Sequence, residues 1–97
     1  MVLDYEIQNL GFTKVDEWST DITDSYIYVV NRLDKGRNVS NQYRLDRLIG
    51  TNYMELISTL QRDTDFKMRT YGFNGEIQDV DALFNLVEDA RDHNRYI

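Results

Sequence analysis

Two runs rich in aromatic and β-branched residues, Ser25 to Leu33 and Val39 to Arg47, flank the polar stretch Asp34-Lys35-Gly36-Arg37-Asn38. Bulky β-carbons suit a pleated, half-buried surface, and a glycine in a short polar connection lets the backbone reverse. The pattern predicts an antiparallel hairpin. Phe12 to Ser19 has the same character and joins the first of these runs through Thr20-Asp21-Ile22-Thr23-Asp24, so three strands should form a meander.

Reading Asp34 to Asn38 as a five-residue turn sets the hairpin register, with Leu33 facing Val39, Val29 facing Tyr43 and Ile27 facing Leu45. That apolar side should meet the helices. The opposite side then carries Tyr26, Tyr28, Val30, Arg32, Gln42 and Arg44, with Tyr28 opposite Arg44. Tyrosine and arginine are enriched at the centres of protein interfaces, which makes this outer face the expected binding surface. A slip of one residue would exchange the two faces.

Leu3, Ile7 and Leu10 recur at helical spacing and Gly11 follows, which predicts a short first helix. Asn52 stands three residues before Glu55, and Tyr53, Ile57 and Leu60 share a helical face, so a second helix is expected to end near Arg62. Phe66 to Phe73 reads as a fourth strand that runs into an Asn74-Gly75 turn. Asp79 caps a last helix on which Val80, Leu83, Phe84 and Val87 form the apolar stripe, with Arg91 in its final turns. The expected class is α+β: a single domain over residues 1–97, with a meander of three to four antiparallel strands and two to three helices on one face. The expected order is αβββαβα.

Charge is unevenly distributed. The net charge is −6, yet residues 32–47 hold Arg32, Lys35, Arg37, Arg44 and Arg47 against two acids. A domain polarised in this way favours docking over chemistry. Acids gather elsewhere, with Asp16, Glu17, Asp21 and Asp24 around the first hairpin. The longest purely apolar run is Ile27 to Val30, far short of the ~20 residues that cross a bilayer. Asp4 and Glu6 argue against a signal peptide, and the chain has no cysteine, so the expected compartment is the cytoplasm and no membrane contact is expected.

Catalytic equipment is sparse. His93 is the only histidine, which excludes histidine-based triads and multi-histidine metal centres. The pairs Asp63-x-Asp65 and Asp79-x-Asp81 lack the glycine and distal glutamate of a calcium loop, and no Walker A, GxGxxG or GxSxG motif occurs. The expectation is no catalytic residue, no cofactor and no resident metal, with a small metal-dependent enzyme as a minor alternative.

Two binding readings follow. In the first, the chain is an inhibitor or adaptor that docks on another protein through Tyr26, Tyr28, Arg32, Lys35, Arg37, Arg44 and Arg47, or through its acids, which imitate a phosphate backbone. Size, acidity and the lack of proline, cysteine and catalytic groups make it similar in type to small phage-encoded inhibitors such as anti-CRISPR and DNA-mimic proteins, though no motif carries the likeness. In the second, the tyrosines stack on single-stranded nucleic acid while Arg32, Arg44 and Arg47 hold phosphates. The acidic balance opposes that approach.

Overall fold

The computed structural model describes residues 1–95. The chain runs through α1 (Asp4–Asn9), β1 (Thr13–Lys14), a 3₁₀ turn (Asp16–Trp18), β2 (Thr23–Asp34), β3 (Arg37–Leu48), β4 (Tyr53–Arg62), β5 (Met68–Glu76) and α2 (Val80–Asn94). The strands form one antiparallel sheet in the order β1-β2-β3-β4-β5. Ile7 of α1 and Leu83, Val87 and Ala90 of α2 share one core with Tyr26, Tyr43, Leu45 and Leu56, so both helices cover the same face. Among the described residues no helix is long and apolar enough to cross a membrane.

The class is α+β, but the order αβββαβα is replaced by αβββββα. Residues 53–62 form a central strand instead of a second helix. Met54, Leu56, Ser58 and Leu60 alternate into the core, and Arg44, Leu45 and Arg47 of β3 pair with Ile57, Leu56 and Met54. The helical spacing of Tyr53, Ile57 and Leu60 loses because a strand between two partners satisfies its backbone on both sides and buries every second side chain. Ser58 hides this alternation. Its buried hydroxyl accepts from the Asn94 carboxamide of α2 at 2.9 Å. Asn74 and Gly75 lie within β5 opposite Glu55 and Met54, so no turn forms there. The run Phe12 to Ser19 contributes only the two paired residues of β1 before it curls into the 3₁₀ turn.

The β2–β3 connection decides which face is which. The turn is only Lys35-Gly36, and both residues have positive φ, 52° and 80°. This is the two-residue mirror-image turn whose twist matches paired strands. Register therefore slips by one from the expected pairing: Asn38 faces Leu33, Leu45 faces Tyr26 and Tyr43 faces Tyr28. The side chains of β2 therefore change sides, while Val39, Tyr43 and Leu45 of β3 stay on the helix side and Gln42 and Arg44 stay on the other. Tyr26 is 0% exposed beneath the helices, and Ile27 and Val29 turn outward.

Both helices were legible at their ends. Gly11 follows α1 with φ 115°, and the Asp79 side chain caps α2 by accepting from the Ala82 N–H at 2.9 Å. The buried stripe of α2 is Leu83, Val87, Ala90 and Asn94, whereas Phe84 is 49% exposed. Leu83 and Val87 lie on the expected stripe, which continues through Ala90 and Asn94 and leaves Phe84 at its margin.

Candidate docking face

With both helices on one side, the other side of the sheet has no helix over it among the described residues. Ser25, Ile27 and Val29 of β2, Gln42, Arg44 and Asp46 of β3, and Glu55, Ile57 and Thr59 of β4 point to this face. One corner is crossed by the 3₁₀ turn. It is held down by two serines: Ser19 Oγ accepts from the Ser25 N–H at 3.1 Å, and Ser25 Oγ donates to Asp46 Oδ1 at 2.5 Å, near the Trp18 carbonyl at 3.2 Å. This clamp sets the Trp18 indole over the Arg44 guanidinium, 4.5 Å from carbon to ring centroid. Arg44 Nε in turn donates to Asp46 Oδ2 at 3.0 Å.

The result is a rigid Trp18-Arg44-Asp46 group amid apolar side chains. Val29 is 46% exposed and Trp18 37%, while Ile27 and Ile57 are half-buried by their neighbours alone. Ile22 and Leu48 are also exposed, at the end of β2 and β3 that lies away from the hairpin turn. Apolar side chains left exposed around a tryptophan and an arginine are where a partner gains most from desolvation. The rim beside the tryptophan is acidic, with Asp16 and Glu17 exposed in the turn itself.

The residues expected to bind a partner are dispersed. Tyr26 is in the core, its hydroxyl donating to Asp4. Tyr28 is half-buried, its ring 5.7 Å from Phe12 and 5.8 Å from Tyr43. Arg47 is buried, donating to Asp4 and to the Val2 carbonyl, with Asp24 3.6 Å away. None of these three lies on the outer face. Arg37 is tied to Asp63 at 3.0 Å and Asp65 at 2.8 Å, bonds that raise its pKa further. The Asn38 N–H, then Arg37, holds the Asp63 carboxyl below its ordinary value. Lys35 and Arg32 are exposed near the hairpin turn, and Arg44 alone of the set stands on the helix-free face.

Of the acids, Asp16, Glu17 and Asp21 are exposed. Asp24 instead turns inward to Lys14, at 3.3 Å, and Arg47. Among the described residues no group of three His, Cys, Asp or Glu comes together to hold a metal ion. Ile27 and Val29 were missed as site residues because the hairpin register was read one residue off, Ile57 because β4 was read as a helix, and Trp18 because its contact with Arg44 joins separate segments. The available signal was Lys35-Gly36 as a two-residue turn. Comparison with protein-family models, curated proteins and solved structures gave no match to this chain.

Proposed function

We propose that the protein is a non-enzymatic docking module, an inhibitor or adaptor that binds another protein through the helix-free sheet face centred on Trp18. The observation that carries this reading is the fixed Trp18-Arg44 stack within exposed apolar side chains. Tryptophan and arginine dominate binding energy where they are held rigid and then desolvated by a partner. The acidic rim and the net charge of −6 select a basic partner surface and speed its approach. The nucleic-acid reading is not favoured, since the tyrosines that would stack on bases lie inside or half-inside the fold. The compartment proposed is the cytoplasm, whose reducing conditions suit a cysteine-free chain.

The test is affinity capture with the purified protein and three variants matched for melting temperature. Wild type and Asp89→Ala should retain the same discrete protein, and Trp18→Ala and Arg44→Glu should lose it. The purified pair should then weaken by ~2 kcal/mol or more in each outer-face variant. Retention of the same protein by all four would overturn the reading.

A further inference from the structure

The free edge of β2 lies beside a cleft lined by arginines. The Ser25 carbonyl accepts from the Val15 N–H at 2.8 Å, so Ser25 directs its backbone away from β3. In an antiparallel ladder every second residue does the same. Ile27 meets Thr13, and β1 has no residue beyond that point to continue the pairing. Val29, Asn31 and Leu33 therefore direct their N–H and C=O groups to an edge where no described strand lies. All three residues are exposed. Proteins usually blunt such an edge, because it templates another strand.

On the helix side of the same stretch, Arg32, Asn41, Arg91, Asn94 and Arg95 contribute to a cleft of about 130 Å³. A water takes up about 30 Å³ of liquid, so the cleft has room for one acidic side chain. Asn41 is only 7% exposed and its Oδ1 has no hydrogen-bond partner among the described residues; nor has Asn94 Oδ1. A carboxamide has a donor end and an acceptor end, so a turn of the Asn41 group offers an N–H to the cleft. Among the described residues, Arg91 and Arg95 form only exposed ion pairs, to Glu88 and Asp92 at 3.2 and 3.4 Å. Pairs of that kind are weak and exchange readily. Arg32 has no ion pair among the described residues.

We propose that residues 29–33 of β2 accept an extended acidic segment of a partner protein as an added strand. The segment's backbone continues the sheet, its outward apolar side chains rest on Val29 and Leu33, and an inward carboxylate enters the cleft and pairs with Arg32. Charge selects this occupant over a second copy of the chain. Antiparallel self-pairing about Asn31 would set the two Arg32 side chains on one diagonal of the ladder, a like-charge contact. The site is a different surface from the Trp18 face and does not need that reading to hold.

The probes are acetyl-Thr-Val-Glu-Ile-Glu-Val-Thr-amide and the same peptide with lysine at both glutamates, each titrated into isotope-labelled protein and followed by amide shifts and exchange. The glutamate peptide should bind with a Kd of about 1 mM or lower and protect the amides of Val29, Asn31 and Leu33. It should bind at least ~10-fold tighter than the lysine peptide, and Arg32→Glu should reverse that preference. Asn31→Pro removes an edge donor that takes no part in the β2–β3 ladder and should abolish binding, with its melting curve as the check on folding. Equal affinity for the two peptides, or no shift at about 5 mM peptide, overturns the proposal. So does dimerisation of the free protein through this edge in sedimentation.

Discussion

Arg47 Nη2 donates to Asp4 Oδ1 at 2.9 Å, and this bond joins the first helix to the centre of the sheet. The same nitrogen lies 3.3 Å from the Tyr26 hydroxyl and 3.6 Å from Asp24, and Lys14 Nζ reaches both carboxylates at 3.3 Å. Two cations and two anions thus balance across α1, β1, β2 and β3. Removing one buried member leaves its partners desolvated and unpaired. Arg47→Ala should cost about 3–5 kcal/mol in urea unfolding, and a loss below ~1 kcal/mol would contradict a structural role for this arginine.

The α2 stripe separates two adjacent residues. Leu83 is 0% exposed and Phe84 is half exposed, so they should respond differently to truncation. Leu83→Ala should cost about 2–5 kcal/mol, and Phe84→Ala less than ~1 kcal/mol. Denaturant melts of the two variants check this, and equal losses would mean that α2 is rotated.

Lys35 has φ 52° at the first position of the hairpin turn, where asparagine is better tolerated than lysine. Lys35→Asn should raise stability by roughly 0.5 kcal/mol, measured as an upward shift in melting temperature. A clear decrease would argue against the two-residue turn, and with it against the exchange of faces.

Stability should fall at alkaline pH. Burial, and then the Asp89 carboxylate, holds the Tyr71 hydroxyl above its ordinary value. Burial pulls the Lys14 ammonium down, but its hydrogen bonds to Asp24 and Asp4, with their charges, outweigh that and raise it. A group whose folded value is raised gives stability that is complete below its unfolded value, about 10 for both types, and is lost as pH rises through the folded one. Chemical melts should be level below that point and decline above it, less steeply in Tyr71→Phe. Asp63 has the opposite sign. Its contribution is present above about pH 4 and fades as pH falls through its lowered value, which NMR titration of the Asn38 amide should register.

The hairpin and both terminal helices were legible because each had local signals: the run pattern of β2 and β3, Gly11 after α1, and Asp79 before α2. β4 was not, since Tyr53, Ile57 and Leu60 recur at helical spacing and Ser58 interrupts the Met54, Leu56, Leu60 alternation that would have decided against it. The strand exists because β3 and β5 flank it, a tertiary cause no local window contains. The docking face was misplaced for a subtler reason. Tyr26 and Ile27 are both plausible core residues, and only the turn length says which one goes inside. Trp18 reaches Arg44 through the Ser19-Ser25-Asp46 bonds, a contact between separate segments that spacing along the chain does not reveal.

The chain has no cysteine, so one introduced at a time reports one position. The most direct measurement of the central claim is the thiol-labelling rate of Val29→Cys, Ile57→Cys and an Asp89→Cys control, alone and with saturating captured partner. The account predicts labelling of all three in the free protein, slowing by about 10-fold or more at positions 29 and 57 in the complex, and no change at position 89. Unchanged rates at positions 29 and 57 in the complex would contradict it.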